Sequence, residues 1–288
     1  MVSDPKYYWA VRARVFGALV SVALLLFLTW SALFTVPGQN LDNLGMEALR
    51  GRASLIPAGL SLLTHFVSAP ALAIVGLFVL GITIVRKRPA LGLRAIVIVA
   101  GANLLVQLVK AGLSRPELQV GWDLPNSFPS GHTAFAASIS AALVVVVPKR
   151  FRSHAAVFGT VWTALMVAVV VAQGWHRPSD TVGAILAVAI WAFLLAPVET
   201  GRSTKPYAVG IILVITVLSV GVAAMVLGIG ITFSHLGTPM AFDELAGVTE
   251  KGALAGQVFA VAAVLVPTGF QGLMMAGLDA LSLKDKRD

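Results

Sequence analysis

Long uncharged stretches alternate with short charged segments along the chain, and their lengths predict its main elements. A helix needs about 20 apolar residues to cross the hydrocarbon core of a bilayer. By this measure the sequence predicts eight membrane-spanning helices, at residues 15–36, 67–85, 89–109, 132–148, 155–173, 181–197, 207–233 and 254–271. The apolar segment 53–66 predicts a membrane-surface or re-entrant helix before the second span. The predicted fold is an all-α, polytopic transmembrane helix bundle.

The composition supports a membrane protein. Apolar residues make up 58% of the 288 residues and charged residues 12%, whereas soluble domains have about 45 to 50% and about 25%. Soluble globular, disordered and collagen-like proteins are thereby excluded. The first apolar run exceeds the roughly 7 to 15 apolar residues of a cleaved signal peptide, so we expect it to remain as a span. The chain has no cysteine, which excludes disulfides, cysteine zinc sites and thiol nucleophiles.

Basic residues are distributed unevenly between the two sides of the predicted membrane. With the N-terminus inside, 15 of the 21 Lys and Arg residues fall in cytoplasmic segments. The external ones are Arg50, Arg52, Lys110, Arg115, Arg177 and Lys251. The positive-inside rule therefore predicts a multi-pass protein of the cell membrane with both termini in the cytoplasm. Topology accounts for the net charge of +8, and no nucleic-acid partner is predicted.

Several polar residues near the external span ends form a candidate site. They are Lys110, Arg115, Ser130, Gly131, His132, His176, Arg177 and Asp180. The sequence Pro-Ser-Gly-His at 129–132 opens a predicted helix, whose free N–H groups and dipole favour an anion such as phosphate. The lysine and arginines add charge-assisted donors. The same four residues would also suit an ordinary helix start with a serine cap.

Two histidines allow such a cradle to do more than bind phosphate. One neutral imidazole can attack phosphorus while the other, protonated, gives its proton to the leaving oxygen. Asp180 lies four residues after His176 and is within reach if a helix has begun by Pro178. A hydrogen bond to one ring nitrogen would leave the other nitrogen free as the nucleophile. Since Asp180 is the only carboxylate of this set, a metal site is disfavoured.

At these residues the sequence resembles the type 2 phosphatidic acid phosphatase superfamily, the integral-membrane lipid phosphate phosphatases. The family pattern has three parts: Lys, six residues, Arg-Pro; then Pro-Ser-Gly-His; then Ser-Arg, five residues, His, three residues, Asp. The chain matches the first at Arg115 and Pro116, the second over 129–132, and the third at His176 and Asp180.

The resemblance implies a role for each matched residue. His176 would be the nucleophile that forms a phosphohistidine, Asp180 its orienting partner and His132 the general acid. Lys110, Arg115, Ser130 and Gly131 would bind phosphate. The resemblance also implies hydrolysis of a lipid phosphate or diphosphate without a metal or another cofactor.

The chain departs from the family pattern at two places. Lys110 is separated from Arg115 by four residues instead of six, so we expect it to reach the site only if its helix frays. The family's Ser-Arg pair falls on Val169 and Val170, and Arg177 is a candidate replacement for the arginine. Lys110 and Arg177 can equally be read as interfacial anchors.

The resemblance covers the six spans up to about Pro197. The chain is thus predicted to comprise a six-span core at 1–198 and two further spans at 199–288, within one continuous membrane domain. The predicted function is phosphate removal from a lipid at the extracytoplasmic face, with a polyprenyl diphosphate as the first substrate. Alternatives are a phosphotransferase, a phosphatidic acid or phosphatidylglycerol phosphate phosphatase, or an anionic-lipid transporter. No oligomeric state is predicted.

Overall fold

The structure is a computed structural model that describes residues 5–280 except 58, 61, 63, 65–68, 86, 122–124 and 198–206. Every regular element within these residues is helical. In chain order the helices are α1 (Pro5–Phe34), α2 (Val36–Arg50), α3 (Ala69–Val85), α4 (Pro89–Gly112), α5 (Gly131–Val146), α6 (Lys149–Ala172), α7 (Pro178–Leu195), α8 (Tyr207–Leu236), α9 (Phe242–Thr249) and α10 (Leu254–Ala280). A 3-10 turn occupies Ala53–Leu55.

The predicted polytopic helical bundle is confirmed. Within the described residues, six helices are long and apolar enough to cross a membrane, namely α1, α4, α6, α7, α8 and α10. The predicted spans 67–85 and 132–148 correspond to the shorter apolar helices α3, of 17 residues, and α5, of 16 residues. Six of the eight predicted spans are therefore long helices, and the other two correspond to shorter helices. A proline disfavours the helical conformation of the residue that precedes it, so Pro148 keeps α5 from continuing beyond Val146.

Two regions differ from the predicted elements. The segment that precedes the 3-10 turn at 53–55 forms helix α2, although no helix was predicted there. Thr35 caps its first turn by accepting a hydrogen bond from the Gly38 N–H group at 3.1 Å. The predicted surface helix 53–66 is described only in part: it begins with the 3-10 turn, and several of its later residues lie outside the described residues.

Helices α5 and α7 occupy the middle of the bundle. Helix α7 packs against α1, α4, α5 and α10, while α5 packs against α4, α6 and α7. Small residues dominate the buried face of α5, including Ala134, Ala137 and Ala141. Such residues let helix backbones approach closely, which is how helices associate where lipid replaces water. The small residues of α5 thus allow its neighbouring helices to pack closely around it.

The two ends of the bundle differ in their polar residues. At one end, Arg94 donates to the Leu195 carbonyl at 3.0 Å, and Arg14 donates to the Ala196 carbonyl. These bonds satisfy carbonyl groups that lack a partner at the C-terminus of α7. At the other end of the bundle lie the C-terminus of α4, the N-termini of α5 and α7, and helix α2.

Candidate active site

The Pro-Ser-Gly-His sequence starts helix α5, as predicted. Ser130 is the N-cap residue, and its hydroxyl accepts a hydrogen bond from the Thr133 N–H group at 3.3 Å. Ser130 is fully buried, whereas His132 is only partly buried. A side chain at position 131 would meet only the Gln107 amide at 3.6 Å. The first N–H groups of α5 thus lie beside a partly open histidine.

The second histidine is fixed by the start of helix α7. This helix begins at Pro178, so Asp180 comes within reach of the preceding residues, as the spacing predicted. The Asp180 Oδ2 atom lies 3.3 Å from His176 Nδ1 and accepts a bond from the Arg177 N–H group at 2.9 Å. Asp180 is fully buried and His176 nearly so. A carboxylate at Nδ1 favours the tautomer whose Nε2 carries the lone pair.

The two helix starts are joined directly to each other. The Ser130 N–H group donates to the Asp180 carbonyl at 2.9 Å, and the Ser127 hydroxyl donates to Asp180 Oδ2. The rings of His132 and His176 are 6.2 Å apart between centroids. The two histidine rings therefore lie next to each other, close to the starts of α5 and α7.

A tight turn brings His176 back towards α5. Gly174 has φ +70°, a left-handed conformation that glycine adopts without steric cost. The N–H groups of Trp175 and His176 both donate to the Val170 carbonyl. The Trp175 ring then lies 5.6 Å from the His132 ring and is 49% exposed. Trp175 therefore borders the open side of the two histidines.

Lys110 lies at the end of helix α4, which does not fray. It belongs to the last turn of α4, which remains helical up to Gly112. Lys110 nevertheless interacts electrostatically with Asp180 and with His132. The fraying that Lys110 was expected to need is not seen at this helix end, and the phosphate-binding role of Lys110 stays a prediction.

Arg115 is held at one side of its guanidinium group. Its Nη2 atom donates to Asp42 Oδ2 at 3.4 Å and to the Ala32 carbonyl at 3.3 Å. Its Nη1 atom is buried and has no hydrogen-bond acceptor among the described residues. The Thr133 hydroxyl is also buried and has no hydrogen-bond partner among the described residues. Buried polar groups are normally hydrogen-bonded, so both atoms are available to a further partner.

Arg177 is buried beside the nucleophile candidate. Its side chain is only 2% exposed, and its Nε atom donates to Asn43 Oδ1 at 2.9 Å. Burial, the largest effect, and the charge of Arg115 lower the pKa of Arg177, although an arginine stays charged at physiological pH. The hydrogen bond to Asn43 comes from the Nε atom of Arg177 and not from its two terminal nitrogens.

Asp42 and Asn43 of α2 belong to this cluster, although sequence reasoning assigned them no role. Asp42 accepts bonds from the Ser179 N–H group at 2.9 Å and from the Ser179 hydroxyl. Burial raises the pKa of Asp42, while Arg115 lowers it and Asp180 raises it further. A sequence signal did exist, since polar residues recur along α2 at helical spacing. Nothing in that spacing showed which partners they meet.

The positions of the family's missing Ser-Arg pair are apolar core positions. Val169 and Val170 are 1% and 0% exposed. Val170 packs with Met166 and Phe259 in the cluster beneath the site. Neither of these two positions supplies a cation.

Among the residues that the structure describes, no group of three or more His, Asp or Glu side chains is placed to hold a metal ion. Metal-independent chemistry stays a prediction.

Residues 62–204 match the family model of the PAP2 superfamily. The chain belongs to the type 2 phosphatidic acid phosphatase superfamily. It is a multi-pass membrane phosphatase of the lipid phosphate class.

The chain is also similar to a solved structure, a transmembrane PAP2-type phosphatidylglycerolphosphate phosphatase from Bacillus subtilis. The two are 22% identical, with a TM-score of 0.49, and the match covers 62% of this chain and 94% of that chain. No curated protein matches the sequence significantly.

Proposed function

We propose that the protein removes phosphate from a lipid phosphate or diphosphate through a phosphohistidine on His176. The observation that carries this proposal is the pairing of His176 Nδ1 with the buried Asp180 carboxylate at 3.3 Å, opposite His132. Asp180 holds the ring in one tautomer and stabilises the positive charge that develops when Nε2 attacks. In this proposal His176 is the nucleophile and the neighbouring His132 is the proton donor.

In the first step, His176 Nε2 attacks phosphorus. The N–P bond forms while the bond from phosphorus to the lipid oxygen breaks. Protonated His132 gives its proton to that oxygen, so the lipid product leaves in neutral form or, from a diphosphate, as a monophosphate. His132 ends this step as a neutral imidazole.

In the second step, neutral His132 accepts a proton from water, and the hydroxide attacks phosphorus. The N–P bond breaks, inorganic phosphate is released, and both histidines return to their starting states. If the hydroxyl group of another molecule replaces water, the same site acts as a phosphotransferase.

The phosphoryl oxygens need donors that are already in place as charge develops. We assign this role to Lys110, to the unpaired Nη1 of Arg115, to the Ser130 hydroxyl and to the Gly131 N–H group. Each belongs to a helix end or to the segment that links α4 to α5. Backbone N–H groups at a helix start are well suited to phosphate.

The substrate is proposed to reach the site from the extracytoplasmic leaflet. The distribution of lysine and arginine supports this orientation, because most of these residues belong to segments at the opposite end. A polyprenyl diphosphate is our first candidate, followed by phosphatidic acid and phosphatidylglycerol phosphate. Trp175, exposed beside His132, is in a position to contact a head group.

A phosphate-release assay on the purified protein tests the proposed function. We expect release from a polyprenyl diphosphate to exceed release from phosphatidic acid and phosphatidylglycerol phosphate, and to continue when a chelator is present. In sealed vesicles, a short-chain water-soluble substrate should be hydrolysed when the extracytoplasmic face is outward and should require detergent when it is inward. No release from any of the lipids would contradict the phosphatase assignment, and loss of activity with chelator would contradict a metal-free mechanism.

Arg177 is proposed to supply the cation that Val170 does not. Arg177 follows His176 directly in the chain, and Asn43 holds its Nε atom. Loss of one such donor typically costs about 10² to 10³ in rate, and we expect this loss for Arg177→Ala. Arg177→Lys should not restore the rate, because an ammonium group lacks the planar fork.

Turnover number and Michaelis constant measured for both variants separate this role from membrane anchoring. Lys251→Ala is the matched control, because Lys251 is an exposed cation at the same end of the bundle. A loss below about tenfold for Arg177→Ala, roughly 1.4 kcal/mol, would remove Arg177 from the phosphate site.

A further inference from the structure

We propose that helix α2, supported by the C-terminal helices, is part of the phosphate-binding machinery. Its residues Asp42 and Asn43 act as positioning residues for Arg115 and Arg177. This inference rests on the proposed function, since it takes both arginines to bind the phosphoryl group. It assigns a role to two parts of the chain outside residues 62–204, the segment that matches the family.

Asp42 fixes Arg115 and the start of α7 together. One carboxylate accepts from Arg115 Nη2, from the Ser179 N–H group and from the Ser179 hydroxyl. Because Nη2 is occupied by Asp42 and by the Ala32 carbonyl, Nη1 is the end of the guanidinium group without an acceptor among the described residues. Asp42 therefore determines which nitrogen of Arg115 can meet a substrate oxygen.

Asn43 likewise determines which nitrogens of Arg177 can meet a substrate oxygen. Its Oδ1 atom accepts from Arg177 Nε at 2.9 Å, and its Nδ2 atom donates to the Val120 carbonyl at 3.2 Å. The second bond fixes the orientation of the amide, so that its oxygen faces the guanidinium group. A flexible arginine loses much of its freedom when one nitrogen is held, and less entropy is then lost on binding. Two adjacent residues of one helix thus orient both arginines.

The C-terminal part of the chain holds α2 in place. The Asn40 amide donates to the Leu236 and Thr238 carbonyls at 3.0 and 2.8 Å, and its oxygen accepts from the Met240 N–H group at 3.3 Å. Asn40 is fully buried. It precedes Asp42 by two residues on the same helix. A shift of the segment around Met240 would therefore move the residues that orient the arginines.

Apolar packing reinforces these hydrogen bonds. Leu44 and Met46 of α2 share a buried cluster with Met240, Leu245 and Phe259 of the C-terminal segment. On the other side, Gly45 faces the ring of Pro178 so closely that an added Cβ atom would lie 2.8 Å from it. Helix α2 is thus enclosed between the start of α7 and the last helices. We assign to residues 207–280 the function of keeping it there.

A double-mutant cycle tests this inference on the full-length protein. Asp42→Asn should lower kcat/KM about 10- to 100-fold, and Asn43→Ala and Asn40→Ala about tenfold each. If Asp42 acts through Arg115, Asp42→Asn should cost less than about threefold in the Arg115→Ala background, since coupled residues are not additive. Asn43→Ala should likewise cost little in the Arg177→Ala background.

Binding of inorganic phosphate, measured as the rise in unfolding temperature that it causes, gives a readout independent of turnover. We expect this rise to be smaller in Asp42→Asn and Asn43→Ala than in the wild type. Asp243→Asn is the matched control, because Asp243 is exposed at the start of α9. It should behave as the wild type does in both measurements.

Two results would overturn the inference. One is an Asp42→Asn loss of the same size with and without Arg115, which would show that Asp42 only stabilises the fold. The other is full activity and unchanged phosphate binding in Asp42→Asn and Asn43→Ala, while the wild type is active and His176→Asn is not. Absence of phosphatase activity in the wild type would instead refute the proposed function itself.

Discussion

His176→Asn is expected to reduce phosphate release to the uncatalysed level. Asparagine has no imidazole Nε2, so the N–P bond of the proposed intermediate cannot form. The local fold should survive, because Asp180 keeps its bonds from the Arg177 N–H group and the Ser127 hydroxyl. The substitution therefore removes the nucleophile without removing the start of α7.

Phosphate release by the purified variant checks this expectation. His154→Asn is the matched control, because His154 is an exposed histidine in α6, whose first turn lies at the end opposite to the site. It should retain wild-type turnover. A His176→Asn protein that keeps more than about a tenth of the wild-type rate, a difference of 1.4 kcal/mol, would rule out covalent catalysis by this residue.

His132→Asn is expected to slow turnover by about 10² to 10⁴, the range typical of lost general acid catalysis. The loss should depend on the leaving group. A lipid alcohol needs a proton as it departs, whereas an aryl oxygen of low pKa departs with little assistance. The variant should therefore be impaired far less with an aryl phosphate than with phosphatidic acid.

Comparing wild type and variant on these two substrates separates a proton donor from a structural residue. The expected result is a ratio of losses of at least about tenfold between the lipid and the aryl phosphate. Equal losses on both substrates would mean that His132 binds or packs instead of donating a proton.

Much of the fold was predictable because the membrane imposes a simple length requirement. Apolar runs of the right length located the six long helices, and the Pro-Ser-Gly-His sequence was expected to open a helix. The contact between His176 and Asp180 followed from a spacing of four residues and a helix start at Pro178. These features depend on local sequence alone.

Helix α2 was not predictable in the same way. Counting uncharged runs overlooks a helix whose buried face carries Asn40, Asp42 and Asn43. Burial of such groups is tolerable only when each finds a hydrogen-bond partner, and those partners lie 73 to 198 positions away along the chain. A sequence shows the polar residues but not the tertiary contacts that satisfy them.

The proposal that α2 orients the arginines explains how an apolar residue can stand where the family has arginine. Val170 packs in the core beneath the site, and Arg177 lies on the other side of His176 in the chain. An arginine in this new position needs its own support, and Asn43 supplies it from a helix outside the matched segment.

The covalent intermediate is the central claim, and trapping it is the most direct test. Rapid quenching of the wild-type enzyme with a lipid carrying labelled phosphate, followed by mass spectrometry at alkaline pH, should locate an acid-labile phosphoryl group on His176. In His132→Asn the label should form slowly and persist, because the same residue activates water in the second step. A label on any other residue, or none in a protein that is turning over, would contradict the mechanism.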